Sequence, residues 1–300
     1  MKLLITGAWN YTDNDIRQLE LLGYNCVFHQ SEKEPLSQNC FDVDGVICNG
    51  LFLYNDAGAF HNLKFVQLTS AGLDRIPIEY FKKKKIKVFN AAGVYSTPIA
   101  EFVLSSILDL YKRKFVFYEN QKKQIWAKQR DLLELNGKTI CIVGCGNVGS
   151  ACAKLFKAFG CFVLGVDLIP FDSNLFDSVV SIKDIKDHIG KADVVVLTLP
   201  LTEDTRNLFD ISMFTQMKRS SILINVARGG IVNNDDLSQA LNKKLITAAI
   251  LDVFETEPLS SESPLWNMDN LIIYPHNSYV GDGNNARLAK LIKHNLEGQL

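Results

Sequence analysis

The feature that most limits the possible folds is a repeated alternation of short apolar runs with amphipathic helical patterns. The first third of the chain contains the runs KLLIT, NCVFH, GVICN, KFVQLT and IKVFN. A second series contains KTICIVG, CFVLGVD, ADVVVLTLP, SSILINVA, ITAAILDVF and NLIIYP. Strands that are separated by helices pair in parallel, with helices on the faces of the sheet. The pattern therefore predicts two α/β units.

The boundary between these units is predicted in a long helical stretch, STPIAEFVLSSILDLYKRKF, which becomes helical near Thr97. A chain of 300 residues has room for two domains. A polar and aromatic connection over residues 121–133 then leads into the second series. A final helix over residues 284–296 can cap either unit as far as the pattern alone goes.

Composition and charge exclude several classes of partner. The net charge is -1, so the protein as a whole does not attract nucleic acid or anionic lipid electrostatically. The run Lys82–Lys85 is interpreted as a solvated helix end. No segment approaches the roughly 18 apolar residues of a membrane span, and the start does not resemble a signal peptide. Seven cysteines without a Cys-x-x-Cys pair predict reduced thiols in the cytoplasm and no metal site.

The strongest local motif is VGCGNVG, at residues 143–149. Gly144, Gly146 and Gly149 have the G-x-G-x-x-G spacing, directly between a predicted strand and a predicted helix. Such a turn lets backbone amides approach a pyrophosphate, and the helix N-terminus favours the negative charge. The alternative is a structural glycine turn. We interpret the motif as a dinucleotide site.

The next strand, CFVLGVD, ends at Asp167. A carboxylate at this position accepts hydrogen bonds from ribose hydroxyls and repels a 2′-phosphate. The sequence therefore predicts NAD(H) as the cofactor in preference to NADP(H). The alternative is that Asp167 only caps a neighbouring loop.

Three ionisable residues follow later strands of the second series: Arg228, Glu257 and His276. Each alone has an ordinary structural explanation, as an ion-pair partner, a surface acid or an exposed histidine. Ligands of open α/β sheets bind at the carboxyl ends of the strands, where all three are predicted. Together they suit an anion binder, a proton donor and a partner that tunes the donor.

The order of several motifs resembles the D-isomer-specific 2-hydroxyacid dehydrogenase family. They are TSAGLD (69–74), NAAGVYSTPIAE (90–101), LPLTEDTRNLF (199–209), NVARGGIV (225–232), AAILDVFETEPL (248–259) and SPLWNMDNLIIYPH (263–276). The resemblance implies two Rossmann/flavodoxin-like domains with parallel sheets and an active site in the interdomain cleft. It places residues 1–96 and 282–300 in a discontinuous substrate domain and residues 97–281 in the NAD-binding domain.

The resemblance also assigns roles to individual residues. Arg228, Glu257 and His276 fall on the catalytic positions. Ser70, Ala71 and Gly72 fall on a segment that holds the substrate carboxylate. The cofactor-binding positions are Gly144, Gly146, Asn147, Val148, Gly149, Asp167, Pro200, Thr205, Asn225, Thr97 and Asp252, the last on the nicotinamide side.

The implied reaction is hydride transfer between NAD(H) and a small 2-oxo or 2-hydroxy acid. Arg228 would form a forked pair with the substrate carboxylate. His276 would exchange a proton with the carbonyl oxygen, and Glu257 would hold the imidazole and favour its charged form. The resemblance also implies a homodimer, in which residues 121–133 with Trp126 resemble a segment that often takes part.

Some features depart from the family pattern or leave its function open. Asn233, Asn277 and Ser278 stand where other residue types are common. An NAD(H)-binding corepressor-like protein with little turnover, or a phosphite-oxidising relative, would have the same motifs. Glu257 argues against a formate dehydrogenase, which lacks this acid. Residues 44–58 contain no Lys or Arg, which favours an unphosphorylated substrate, and Leu51, Phe52 and Tyr54 are candidates for either its side-chain pocket or the core.

Overall fold

The computed structural model describes residues 1–299. Its strands are β1 Lys2–Thr6, β2 Asn25–His29, β3 Gly45–Cys48, β4 Phe65–Leu68, β5 Lys87–Phe89, β6 Thr139–Val143, β7 Phe162–Asp167, β8 Ser178–Ser181, β9 Val194–Leu197, β10 Ile222–Asn225, β11 Ala248–Leu251 and β12 Leu271–Ile273. Its α-helices are α1 Asp13–Leu21, α2 Gln38–Phe41, α3 Ile78–Lys84, α4 Ser96–Tyr111, α5 Lys114–Lys122, α6 Asn147–Ala158, α7 Ile185–Ile189, α8 Ile211–Gln216, α9 Asn234–Asn242 and α10 Asn284–Glu297.

The chain forms two compact units. The first contains Met1–Tyr95 together with the described residues from Gly281 onward, and the second contains Ser96–Val280. Both boundaries, after Tyr95 and after Val280, lie one residue before the predicted ones. Because each unit contains its own parallel sheet, the predicted fold class of two parallel α/β domains is confirmed.

The first unit has five parallel strands in the order β2-β1-β3-β4-β5. Helix α10 belongs to this unit, which decides the question that the sequence pattern left open. Its apolar face, with Leu288 and Ile292, packs into the same core as Leu3 and Ile5. The hydroxyl of Tyr24 donates to the carbonyl of residue 296 at 2.9 Å.

The second unit has seven parallel strands in the order β12-β11-β10-β9-β6-β7-β8. The residues of β9, Val194–Leu197, are completely buried. Helices cover both faces of such a sheet, so its central strands are continuous apolar runs and not alternating ones. Strands β10, β11 and β12 are neighbours in the sheet, and their carboxyl ends therefore share one edge.

Local chemistry explains where the elements differ from the predicted ones. Helix α1 begins at Asp13, because Thr12 and Asp15 form a capping box there. The predicted long helix ends at Tyr111, and α5 follows a break at Arg113, whose φ is 49°. Strand β8 was missed, since SVVS at Ser178–Ser181 is short and half polar.

Two negative findings apply to residues 1–299. None of the helices is both long and apolar enough to cross a membrane. No group of three or more His, Cys, Asp or Glu side chains is arranged to hold a metal ion within this part of the chain. All seven cysteines are free thiols, and all except Cys26 are buried.

Candidate active site

The glycine loop lies between β6 and α6, as the motif predicted. Gly144 has a φ of +100°, and a Cβ there would lie 2.6 Å from the backbone N of Leu199. A Cβ on Gly149 would lie 2.0 Å from the carbonyl oxygen of Gly144. At Gly146, the N-cap of α6, a Cβ would meet no atom within 4 Å. Two glycines therefore permit close packing, whereas the third borders open space before the helix N-terminus, where a pyrophosphate fits.

Asp167 ends β7 and faces this loop. Its Oδ2 accepts the N–H of Cys145 at 2.7 Å, and its Oδ1 accepts the N–H of Leu168 at 2.7 Å. Burial, followed by the Asp167 charge, raises the pKa of the Cys145 thiol to about 12. The thiol is therefore protonated at neutral pH and is unsuited to nucleophilic chemistry.

The sequence that follows Asp167 contains no basic residue that could bind a phosphate. Residues 167–176 include no Lys, Arg or His. Leu168 and Ile169 are 71% and 76% exposed, although both are large and apolar. The chain after β7 therefore presents one carboxylate followed by two exposed apolar side chains.

Arg228 follows β10 and is held by a buried amide. The side-chain N–H of Asn225 donates to the carbonyl of Arg228 at 2.9 Å, and its Oδ1 accepts the N–H of Ala227 at 3.0 Å. The next residue must be small, because a Cβ on Gly229 would lie 1.9 Å from the carbonyl carbon of Phe254. Asn225 before the partly exposed Arg228 and Gly229 after it therefore fix the backbone of this loop.

Glu257 and His276 are in direct contact. The Oε2 atom of Glu257 lies 2.7 Å from Nδ1 of His276, and Oε1 accepts the N–H of Phe254 at 2.9 Å. The two side chains are 34% and 38% exposed. A carboxylate at Nδ1 selects the tautomer with a proton on that nitrogen and fixes the orientation of the ring. The structure therefore brings together two of the three predicted catalytic residues and places Arg228 after the neighbouring strand β10.

Asp252 follows β11 and is completely buried. Its Oδ1 accepts the N–H of Asn277 at 2.8 Å, and its Oδ2 accepts the N–H of Ser278 at 3.0 Å. Asn225 is also completely buried, with both ends of its amide hydrogen-bonded to its own loop. Sequence reasoning took both as cofactor-lining residues and missed that they hold loops. The sequence feature that could have indicated this structural role is a polar residue at the end of an apolar strand.

The remaining predicted cofactor positions differ in exposure. Thr97, Pro200 and Asn147 are exposed, and Val148 is partly exposed. Thr205 is buried, and its Oγ1 donates to the carbonyl of Pro200 at 2.8 Å. It therefore shapes the loop after β9.

The positions predicted for the substrate in the first unit also separate into two kinds. Ser70, Ala71 and Gly72 follow β4 and retain surface exposure. Leu51 is completely buried in the core, so it does not line a pocket, whereas Tyr54 is 53% exposed. Phe52 packs edge-on against neighbouring aromatic rings of the core, those of Phe60 and Phe81.

Comparison with known proteins decides the family. The model of the D-isomer specific 2-hydroxyacid dehydrogenase NAD-binding domain matches residues 104–278, more than half of the chain. The chain belongs to this family. The dehydrogenase is 32% identical over 287 residues to a glyoxylate reductase of Thermofilum pendens, covering 90% of this chain and 84% of that protein.

Solved structures show the same fold. A family protein of Aeromonas salmonicida has a TM-score of 0.85 and 29% identity, covering 98% of this dehydrogenase and 94% of that chain. A D-lactate dehydrogenase of Aquifex aeolicus, complexed with NAD and lactic acid, has a TM-score of 0.79 and 25% identity. The match covers 99% of this chain and 95% of that chain. Family membership makes the protein an oxidoreductase of 2-hydroxy acids, with an NAD-binding domain in its second unit.

Proposed function

We propose that the protein interconverts a 2-oxo acid and the D-2-hydroxy acid with NAD(H). In this proposal His276 is the acid/base, Glu257 is its partner and Arg228 binds the substrate carboxylate. The observation that carries it is the 2.7 Å contact between Glu257 and His276 at the sheet edge that also carries Arg228. A bound nicotinamide would supply the hydride for reduction and accept it in oxidation.

Arg228 would orient the substrate. Its guanidinium stays charged at all relevant pH values and presents parallel N–H donors that match a carboxylate. Because Asn225 and Gly229 fix the backbone on either side, the fork would hold the 2-oxo acid in one orientation. Backbone groups of Ser70–Gly72 are a further prediction for the carboxylate, from the family resemblance.

His276 would move the proton. With Nδ1 directed at Glu257, Nε2 is the ring nitrogen that can donate to the carbonyl oxygen. As carbon 2 gains the hydride, the C=O bond becomes a C–O single bond and its oxygen takes the proton from Nε2. In oxidation Nε2 takes the proton back. Glu257 would stabilise the charged imidazole that donates in reduction.

The cofactor is proposed to be NAD(H) in preference to NADP(H). Asp167 would accept hydrogen bonds from the ribose hydroxyls and repel a 2′-phosphate. Support comes from the absence of any basic residue in the sequence 167–176 and from the open space before α6 at Gly146.

The substrate is proposed to be an unphosphorylated 2-oxo acid. The resemblance assigns residues 44–58 to the substrate's side chain, and this segment contains no Lys or Arg. The backbone N–H groups of Asn49 and Gly50 already donate to the carboxylate of Glu32, at 2.7 and 2.6 Å. A second anionic group would therefore meet a negative charge and amides that are already satisfied.

The proposed oligomer is a homodimer that uses residues 121–133, together with exposed aromatic side chains of α5 before them. Trp126 is 96% exposed, and Phe115, Ile125 and Leu133 are each close to half exposed. A groove of about 730 Å³ lies along this segment, lined in part by Phe117, Ile125 and Trp126. So much exposed apolar surface on one segment is typical of a protein–protein interface.

The free thiols support our proposal that the protein works in the reducing cytoplasm.

The decisive experiment measures the loss of NADH absorbance when the protein is given one of five acids: glyoxylate, hydroxypyruvate, pyruvate, 2-oxoisocaproate or phenylpyruvate. NADPH replaces NADH in a parallel series, and His276→Ala is the control. A separate assay with NAD⁺ and phosphite measures a gain of NADH absorbance. Turnover of an organic acid that the control abolishes supports the proposal. Tight NADH binding without any turnover contradicts it in favour of a binding protein, and phosphite oxidation contradicts it in favour of that activity.

A further inference from the structure

The sheet of the first unit has a ligand position of its own, which a side chain of this protein fills. Because the strand order is β2-β1-β3-β4-β5, the chain leaves β1 on one side and returns on the other. Open α/β sheets bind ligands at the carboxyl ends of the strands where the order reverses in this way, here between β1 and β3. The carboxylate of Glu32, a residue beyond β2, lies at these two strand ends.

Three donors converge on this carboxylate. Its Oε1 accepts the hydroxyl of Thr6, the last residue of β1, at 2.7 Å and the N–H of Asn49, just after β3, at 2.7 Å. Its Oε2 accepts the N–H of Gly50 at 2.6 Å. A hydroxyl beside successive backbone N–H groups is a typical binding site for an anion. Glu32 therefore stands where an external carboxylate or phosphate would otherwise bind.

Glu32 reaches this position because the loop after β2 passes close to the end of β1. The N–H of Gly7 donates to the carbonyl oxygens of both His29 and Gln30 at 3.1 Å. A Cβ on Gly7 would lie 2.3 Å from the carbonyl oxygen of Gln30, so a larger residue would push the two loops apart. The carboxylate of Glu32 is therefore held by the fold of this unit.

The negative charge of Glu32 is stabilised but not cancelled, because all three donors are neutral groups. The charge acts on the end of β3: burial, followed by the Glu32 charge, raises the pKa of the Cys48 thiol well above its ordinary value. Residues 44–58 supply no Lys or Arg to offset it. A second anion that approached this segment would therefore meet a like charge.

We propose that Glu32 is an internal anion that selects the charge of the substrate. By occupying the donors of Thr6, Asn49 and Gly50, it favours 2-oxo acids with an uncharged side chain over those with a second carboxylate or a phosphate. The inference rests on the proposed function, in which residues 44–58 face the substrate's side chain. Discrimination of this kind comes from repulsion of the wrong substrate and not from added contacts with the right one.

Two acids of matching shape measure the selection. The side chains of oxaloacetate and 2-oxoisocaproate have the same number of non-hydrogen atoms, but the first ends in a carboxylate and the second in an isopropyl group. We expect wild type to prefer 2-oxoisocaproate. Glu32→Gln keeps the size of residue 32 and removes its charge, so kcat/KM for oxaloacetate relative to 2-oxoisocaproate should rise by about tenfold.

An unchanged ratio in the folded Gln variant would overturn the proposal, as would a wild type that prefers oxaloacetate. Where glyoxylate is the only acid reduced, the inhibition constants of the two acids against glyoxylate replace kcat/KM. The same tenfold change in their ratio is then expected.

The matched control is Asp15→Asn. Asp15 also accepts a threonine hydroxyl and a backbone N–H, both from Thr12, at 2.7 and 2.8 Å. It belongs to the capping box of α1, and neither donor lies in residues 44–58. The control loses the same unit of charge and should keep the wild-type ratio. A shift in the control as large as that of Glu32→Gln would show that net charge alone acts, which contradicts the proposal.

Small anions give a test that does not need turnover. Glu32→Ala leaves the hydroxyl of Thr6 and the N–H groups of Asn49 and Gly50 without their acceptor. Acetate should replace the lost carboxylate and raise the melting temperature of this variant more than that of wild type. Acetamide with sodium chloride at the same concentration supplies the shape and the ionic strength without the carboxylate, and it should not.

An equal response of Glu32→Ala to acetate and to the acetamide mixture would overturn the internal anion. If this variant does not fold in either solution, the ratio measured with Glu32→Gln decides the proposal. Absence of wild-type turnover on every acid would instead contradict the proposed function. The response to acetate would then still decide whether Glu32 fills an anion position.

Discussion

The carboxylate of Glu257 is fixed by the backbone before it holds the imidazole of His276. One oxygen accepts the N–H of Phe254 at 2.9 Å, and the other lies 2.7 Å from Nδ1 of the histidine. Since Nδ1 has this partner, the pair presents Nε2 as the atom for proton exchange. The geometry suits a histidine that a carboxylate holds in one orientation for proton exchange at Nε2.

Glu257→Gln should lower turnover while sparing the cofactor. Glutamine preserves the shape of the contact with Nδ1 of His276, but its amide can meet that nitrogen as either donor or acceptor, so the tautomer and the ring orientation are no longer fixed. The kcat for 2-oxo acid reduction should fall by about tenfold or more. Steady-state rates measure this loss, and fluorescence titration should show unchanged NADH binding. An unchanged kcat would remove the proposed role from Glu257.

Arg228→Gln should damage substrate use while sparing the cofactor. Loss of a forked, charge-assisted pair should cost roughly 3 kcal/mol, or about a hundredfold in kcat/KM. Arg228→Lys is the matched variant, since it keeps the charge but not the fork, and it should recover only part of the loss. Fluorescence titration should show unchanged NADH binding in both. Loss of NADH binding would show that Arg228 acts on the cofactor site.

The sequence predicted most of the architecture because parallel sheets leave a strong signal. Continuous apolar runs such as VVVL at Val194–Leu197 must be buried on both faces, and they pair in parallel when helices separate them. Strand β8 has no such signal, since Ser178 and Ser181 flank just two valines. The ownership of α10 was also beyond the sequence pattern, because it depends on contacts with residues far away in the chain, such as Tyr24.

The candidate site was predictable in its residue types and less so in their roles. Motif spacing predicted Glu257 and His276, and the structure places them in contact. The resemblance to the family assigned Asp252 and Asn225 to the cofactor site. Their burial depends on how the following loops fold back, which periodicity does not describe. Asn233, a departure from the family pattern, caps α9 by accepting the N–H of Asp236 at 3.0 Å.

Asp167→Asn should reduce the discrimination between the two nicotinamide cofactors. The variant removes the charge that opposes a 2′-phosphate, and asparagine retains one acceptor for the loop N–H of Cys145. The ratio of kcat/KM with NADH to that with NADPH should fall by about tenfold, equivalent to about 1.4 kcal/mol. A thermal melt controls for loop damage. If a well-folded variant retained the wild-type ratio, another residue would set the preference.

Trp126→Ala should weaken the proposed homodimer. The indole is almost fully exposed within the chain, so its removal should leave the stability of the monomer fold unchanged. Buried central aromatic residues contribute about 2 kcal/mol or more to an interface, which raises the dimer dissociation constant at least about thirtyfold. Light scattering over a concentration series measures this. Trp266→Ala, at another exposed tryptophan, is the control, and a monomeric wild type would contradict the prediction.

Asp193 should contribute to stability at neutral pH and lose that contribution in acid. Burial raises the pKa of this carboxyl, but the N–H of Thr139 and the ammonium of Lys218 outweigh burial and hold it below its ordinary value. A depressed folded-state pKa means that the stabilisation is complete above the unfolded-state value, about 3.9, and is lost as the pH falls through the folded-state pKa.

Asp193→Asn should therefore lower the free energy of unfolding by about 1 to 2 kcal/mol at neutral pH. The difference from wild type should shrink in acid, because protonation neutralises the wild-type side chain as the substitution does. Urea unfolding at a series of pH values measures both effects, and Lys218→Met should reproduce part of the loss. A difference that stays constant through the acid range would mean that the variant acts through packing and not through the carboxylate charge.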